Sequence, residues 1–378
     1  MSIFLDHNST TPVLDIAYKA MKPYFCDYFY NSSGLQNPCR EIAETIENAR
    51  TDLRKLVSFN AGLLIFTSSA TEANNFVICQ NIFHKIITIP IEHPSVINAA
   101  RRYHGTDVIY SKIDSDGIVD LDDLKINLIK NYQTDKKILV SIQYANQVIH
   151  SIQPMKEISD LCKKYGAYLH VDATQAFGKL PITNISADFI TISSHKCYGP
   201  KGIAALWISK NIDLTKIKSL MCGGHQEFNL RAGTLNVPAI IGFHRAAQFM
   251  YSNYDEHFLS VSRLTSKFYN EFTKLVPDCF LNGSITQRLP GGLHFTVPNV
   301  DMRSVLLSLP NIIISTGMSC SSYESDPVLT SIGKKQQTRN SFRIQVGFEN
   351  TEDEIHEAVV ELSKKILEAR SFWGNYSS

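Results

Sequence analysis

A chain of 378 residues, 44% of them hydrophobic and 19% charged, carries enough apolar material for one large domain and a smaller one. Lys plus Arg (37) nearly balance Asp plus Glu (36), so no strong field favours nucleic acid or an anionic membrane over a small-molecule substrate. Apolar runs such as 63–66 and 86–91 are far too short to span a bilayer, and the start Met1-Ser2-Ile3-Phe4-Leu5-Asp6 has neither a basic segment nor an apolar signal core, so a soluble, cytoplasmic protein is expected.

The first clear element is a helix over 41–57, with Ile42, Ile46, Ala49, Leu53 and Leu56 on one face. A strand at 63–67 then runs into Thr67-Ser68-Ser69-Ala70-Thr71-Glu72, where small hydroxyl residues turn into a helix. Free N–H groups and the helix dipole make such a turn an anion site, although an ordinary Ser/Thr cap reads the same way. The strand at 85–90 delivers Glu92-His93-Pro94-Ser95, an imidazole able to stack on a flat ring and shuttle protons, or a structural histidine. After a strand at 137–141, Pro154 opens a helix that Gly166 closes.

The next strand, 167–171, ends in Asp172. In an open α/β sheet ligands bind at the carboxyl ends of the strands, and a carboxylate there can hold a ring nitrogen protonated; a helix N-cap is the alternative. The strand at 188–193 leads 24 residues on from Asp172 to Ser193-Ser194-His195-Lys196, stopped by Gly199-Pro200. A lysine at a buried strand end is costly unless it loses its charge, for instance to an imine. A strand at 204–208 follows, and strands alternating with helices in this way predict a mostly parallel sheet.

Beyond about Tyr251 the pattern changes to a long helix reaching Leu275, strands at 292–297, 312–315 and 342–346, and a last helix opened by the capping pair Thr351 and Glu354. The division predicted is 15–250 for a large domain, with 1–14 and 251–378 forming a smaller α+β domain. Here Ser315-Thr316-Gly317-Met318-Ser319-Cys320 is a small-residue loop with one thiol, suited to reaching a substrate and then a partner. Arg343 on the final strand suits bidentate clamping of a carboxylate. The eight cysteines form neither a C-x-x-C pair nor a zinc-spaced group, so no resident metal is expected.

In this order the segments resemble the cysteine desulfurases of the class V aminotransferase family, the NifS and IscS type. The resemblance also covers Leu5-Asp6-His7-Asn8-Ser9-Thr10-Thr11-Pro12, Gly223-Gly224-His225-Gln226-Glu227 and Arg231-Ala232-Gly233-Thr234-Leu235-Asn236, and so spans almost the whole chain. It implies a fold-type I pyridoxal-phosphate enzyme, with a mostly parallel seven-stranded sheet covered by helices, and a homodimer. Lys196 would hold pyridoxal 5'-phosphate as a Schiff base and later move the substrate Cα proton. Asp172 would pair with the pyridinium nitrogen, Gln175 and Gln147 would contact the cofactor, and His93 would stack on its ring. The phosphate would lie on Ala70 and Thr71 with Ser193, Ser194 and His195, joined by Thr234 of the neighbouring subunit.

Within the same resemblance, Arg343 would hold the carboxylate of L-cysteine, and Cys320 would take its sulfur, leaving L-alanine and a persulfide. The Cys320 loop is similar to the long-loop members, which implies iron–sulfur scaffold proteins and tRNA-thiolation proteins as acceptors, with Cys320 at most sharing an iron–sulfur cluster transiently. Two other readings are open: a selenocysteine or cysteine lyase of the same fold, and a weakly active diverged paralogue. The second rests on departures from the family pattern. Asn146-Gln147-Val148-Ile149-His150 stands where the family has Asn-Asn-Glu-Ile-Gly, and Gly347-Phe348 stands for Gly-Arg.

Overall fold

The computed structural model describes residues 2–58, 61–134, 136–316 and 326–374. A two-residue strand β1 (Ile3–Phe4) is followed by the short helices α1 (Asp15–Met21) and α2 (Pro23–Cys26) and by α3 (Asn37–Val57). Helix α3 buries Ile42, Ile46, Ala49 and Leu53, the face that its 3.6-residue period predicts, and Pro38 in its first turn starts it earlier than the apolar pattern alone suggests. Strands and helices then alternate as β2 (Gly62–Thr67), α4 (Ala70–Ile78), β3 (Phe83–Thr88), α5 (Pro94–His104), β4 (Val108–Tyr110) and α6 (Leu121–Asn131). The series continues through β5 (Lys137–Gln143), α7 (Met155–Lys164), β6 (Tyr168–Asp172), β7 (Phe189–Ser193), β8 (Ala204–Ser209) and α8 (Val237–Ser252).

These strands form one seven-stranded sheet in the order β2-β8-β7-β6-β5-β3-β4. Pairing is parallel from β4 across to β7, and antiparallel only where β8 meets β7 and β2. Strand β8 alone therefore runs backwards, and the carboxyl ends of β2, β3, β5, β6 and β7 share one edge. Six of the strands lie where β-branched runs predict them. The seventh, β4, has only three residues at the sheet margin and lacks the length that makes such a run legible.

Helix α8 is buried on most sides, with Ile240, Ile241, Phe243, Ala246 and Ala247 all inside, so no polar face marks its period. Asn253 separates it from α9 (Tyr254–Leu275), which begins three residues later than the long helix expected from Tyr251. After α9 come β9 (Phe280–Leu281), β10 (Gly292–Thr296), α10 (Met302–Leu307), β11 (Ile312–Ile313), α11 (Pro327–Ser331), β12 (Ser341–Gln345) and α12 (Glu352–Gly374). Strands β12, β10 and β9 make an antiparallel sheet, and β1 pairs in parallel with β11.

A second core, of Leu264, Phe268, Phe272, Phe295, Phe342 and Leu362, takes in Ile3 and Leu5 from the chain's start. The N-terminal segment is thereby anchored beside β12, and the next residues are carried over the sheet edge. The expected cap of α12 forms with Thr351 N–H donating to Glu354 (3.0 Å) and Glu354 N–H donating to Thr351 (3.2 Å).

Candidate active site

At the carboxyl edge, β2 passes through Ser68 and Ser69 into α4. Ser69 Oγ accepts from Glu72 N–H at 3.2 Å, while the Glu72 carboxylate accepts from Ser68 N–H at 2.8 Å and from Arg231 Nε at 2.8 Å. The turn is thus rigid, and the remaining first-turn N–H groups, which no helix satisfies internally, belong to Ala70 and Thr71. Both residues line a cavity of about 490 Å³, together with Ser193, His195 and Lys196.

Asp172 ends β6 against the same cavity. One carboxylate oxygen accepts from Thr174 N–H at 2.9 Å and the other from Asn74 Nδ2 at 2.7 Å. Asn74 stands on α4, fully buried, and also donates to Ser95 Oγ at 2.9 Å. Ser95 in turn meets His93 Nδ1 twice, through its Oγ at 2.8 Å and its N–H at 3.1 Å. His93 caps α5 with its own ring and faces the cavity. Burial lowers its pKa, Lys196 adds to that, and Asp172 opposes it.

Lys196 follows β7 in a single tight turn. Burial brings its amine down to about 8, with the Arg343 charge adding to the shift and Asp172 and Asp6 opposing it. Its neighbour His195 is brought down to about 4 by burial and then by Lys196, Lys201 and Lys179, so it is a neutral ring among cations. The N-terminal segment buttresses this turn: Thr11 N–H donates to the His195 carbonyl at 2.9 Å, and Thr11 Oγ1 accepts from Tyr198 N–H at 2.8 Å.

A second lysine, Lys179, lies behind Gln175 and donates to its Oε1 at 3.3 Å. Burial brings Lys179 to about 7, assisted by Lys196. Neither Lys179 nor the pair Asn74 and Ser95 stands out in the sequence. Gln175 and Lys179 lie in a turn segment outside any helix, and Asn74 and Ser95 come from different helices, so no local period signals either contact.

Of the residues expected at the site, Ala70, Thr71, His93, Gln147, Asp172, Gln175, Ser193, His195 and Lys196 line the one cavity. Ser194 does not: it is fully buried at the start of the tight turn that follows β7, and its hydroxyl packs against Gly199. Thr234 is exposed and away from this chain's cavity. Arg343 sits one layer behind, donating to Asp6 Oδ1 at 2.8 Å and to the Gln147 carbonyl at 2.6 Å, and its buried Nε has no partner among the described residues. Cys320 lies outside the described residues.

The cavity fits a flat phosphorylated aldehyde such as pyridoxal phosphate. It has a helix N-terminus for an anion, an amine that is partly neutral near pH 8 for the carbonyl, and an acceptor carboxylate for a protonated ring nitrogen. Its volume is of the size that takes small cofactors. Two buried polar atoms beside Asp172, Asn74 Oδ1 and Thr174 Oγ1, have no partner among the described residues. Among the described residues no group of His, Cys, Asp and Glu is arranged to hold a metal.

The family model described as Aminotransferase class-V matches residues 3–357. A cysteine desulfurase IscS from Rickettsia typhi (strain ATCC VR-144 / Wilmington) is 36% identical over 98% of this chain and 92% of its own length. The IscS of Dictyoglomus turgidum (strain DSM 6724 / Z-1310) is 35% identical over 98% of this chain and 95% of its own. Among solved structures, a NifS-like protein from Rickettsia africae ESF-5 has a TM-score of 0.88 at 30% identity, covering 97% of this chain and 99% of that one.

Proposed function

The chain belongs to the class-V aminotransferase family, as a pyridoxal-phosphate-dependent cysteine desulfurase, and we propose that Lys196 anchors the cofactor while Asp172, His93 and the α4 turn grip it from three sides. The reaction removes sulfur from L-cysteine and leaves L-alanine. One observation carries the assignment of residues: Lys196, Asp172, His93, Ala70 and Thr71 all line one cavity of about 490 Å³.

When bound, the protonated pyridoxal ring supplies an electron sink that stabilises negative charge at the substrate Cα. Asp172, whose two oxygens accept from the fixed donors Thr174 N–H and Asn74 Nδ2, would be the partner of the ring's protonated nitrogen. The Lys196 amine, with its pKa near 8, is neutral in an appreciable fraction of molecules at neutral pH, and so can join a carbonyl and later carry the Cα proton. Gln175, braced by Lys179, and Gln147 hold the polar edge of the ring. The N–H groups of Ala70 and Thr71, with Ser193 and His195, hold the phosphate.

Arg343 binds the substrate carboxylate, and the Cys320 thiolate attacks the substrate sulfur as the Cβ–S bond breaks; the bonding pair stays with Cβ, which takes up a proton to become the methyl group of L-alanine, and the outer sulfur of the Cys320 persulfide passes to an acceptor. The acceptors in this reading are an iron–sulfur scaffold and tRNA-thiolation proteins. Thr234 reaches the phosphate site of a second subunit, so the working form is a homodimer; the apolar side chains exposed around α1 and α2, among them Ile16, Tyr18, Phe25 and Phe29, support a covering partner there. No helix among the described residues is long and apolar enough to cross a membrane, and a cytoplasmic site of action is part of the same reading.

The test is direct. Purified protein loaded with pyridoxal phosphate has a visible absorption band that borohydride traps and Lys196→Ala abolishes. With cysteine and a reductant it releases sulfide and carries a persulfide that mass spectrometry maps to Cys320. Full cysteine turnover by Cys320→Ala points instead to a lyase.

A further inference from the structure

The hydrogen bonds between Asp172 and His93 have a direction. An ionised carboxylate only accepts, so the Asn74 amide must present nitrogen to Asp172 at 2.7 Å, which settles which end of that amide faces Ser95. The same nitrogen donates to Ser95 Oγ at 2.9 Å and occupies a lone pair of that oxygen. The Ser95 hydroxyl proton is then left for His93 Nδ1, 2.8 Å away. The Ser95 backbone N–H, which has no alternative role as an acceptor, points at the same nitrogen from 3.1 Å. Two donors therefore converge on Nδ1, at the N-terminus of α5, where the helix dipole also disfavours positive charge.

We propose that Ser95 and Asn74 are positioning residues that hold the His93 imidazole as its Nε2–H tautomer, so that the ring meets the cavity as a hydrogen-bond donor. A ring held this way can give a proton or a hydrogen bond to an acceptor in the cavity. To take a proton, it must protonate Nδ1 against two facing donors, one of which, the backbone N–H, cannot reverse. The base in the cavity is therefore Lys196, and His93 works on the donating side. Its tautomer is tied to Asp172: the group that keeps the ring nitrogen protonated also, through Asn74 and Ser95, selects which nitrogen of His93 carries hydrogen. The charged groups bearing on the ring are Asp172 and Lys196. The meaning for turnover rests on the desulfurase reading, but the tautomer does not, so the two ideas fail separately.

The experiment is heteronuclear NMR of the full chain labelled with 15N-histidine, above neutral pH, with and without pyridoxal phosphate, and with His93→Gln used to assign the signals. The expected spectrum has an unprotonated Nδ1 and a protonated Nε2 at His93. Ser95→Ala shifts the tautomer ratio toward Nδ1–H by about fivefold, the change that the loss of one hydrogen bond gives, and Ser95→Thr restores it. A wild-type ring protonated at Nδ1, an even mixture, or a ratio unmoved by Ser95→Ala in a folded protein overturns the proposal. A Ser95→Ala chain that does not fold leaves the wild-type spectrum to decide on its own.

Discussion

Asp6 Oδ1 accepts from Arg343 Nη2 at 2.8 Å, so the arginine proposed for the substrate carboxylate is already held by a carboxylate of the chain's own N-terminal segment. Both side chains are nearly buried, and Asp6 reaches Arg343 only because β1 is stitched beside β11. Removing one partner of such a pair leaves an uncompensated buried charge.

Asp6→Asn is therefore expected to lower stability by about 3 kcal/mol. A saturating unreactive amino acid supplies the missing anion, and should raise the melting temperature of Asp6→Asn more than that of the wild type. Thermal melts with and without L-alanine make the comparison. Equal shifts in the two proteins mean that substrate carboxylate and Asp6 do not share Arg343.

Lys196 predicts a pH dependence. Its folded pKa of about 8 lies below the ordinary lysine value of 10.5, so the amine becomes neutral as pH rises through about 8. The rate at which the cofactor-free protein takes up pyridoxal phosphate should climb across that range and then level off. Because Arg343 adds to the depression, Arg343→Gln should move the midpoint upward. On the stability side, the unfolded chain keeps this proton up to 10.5 and the folded chain only to about 8; this group's contribution to stability therefore improves between those values and is constant below them. An uptake rate flat from neutral to alkaline pH contradicts the assignment.

Buried histidines make acid a specific stress. Burial brings His7 and His170 to about 4 and His294 to about 3, and pushes fully buried His150 well below its ordinary value. The unfolded chain protonates these rings near 6.5, so their contribution to stability is constant above that pH and declines as pH falls toward 4, where the unfolded state binds more protons. Urea midpoints measured at stepped pH should begin to fall at about 6.5. Replacing His170 with Gln should reduce the slope there.

Glu227 is the last case. It sits in three successive left-handed residues, Glu227, Phe228 and Asn229, with φ of 46°, 59° and 65°. Its side chain accepts from both Arg50 Nη atoms at 2.7 Å and from Phe66 N–H on the edge strand β2 at 2.6 Å. Glu227→Ala takes the buried carboxylate from the Arg50 guanidinium, which keeps only the half-exposed Glu47 and the Leu64 carbonyl, and leaves the Phe66 N–H without its acceptor, so a loss of about 3 kcal/mol is expected in chemical denaturation. A loss below about 1 kcal/mol means that water replaces the carboxylate.

Legibility differed between kinds of feature. The strands β2, β3, β5, β6, β7 and β8 could be read because each is an apolar run of five to seven residues ended by polar turn residues. Short β4 and buried α8 could not, since one has too few residues to repeat and the other lacks a polar face. Ser194 is expected to contact the phosphate from its place in a motif, yet the tight turn after β7 carries its hydroxyl inward toward Gly199. Motif membership identifies a segment, whereas the direction of each side chain belongs to the backbone.

Asp172, Lys196, His93 and the Ser69 turn could be recognised from residue order because each follows its own strand directly, and parallel strands bring such ends to one edge whatever their partners are. The bonds Asn74–Asp172, Asp6–Arg343 and Arg50–Glu227, in contrast, join residues 98, 337 and 177 positions apart. No local period encodes them. They depend on how α4 stacks beside α5, how β1 docks on β11, and how a left-handed loop crosses the sheet edge. Those packing choices bring buried charged and polar groups from distant parts of the chain into contact, because an unpaired buried charge is costly.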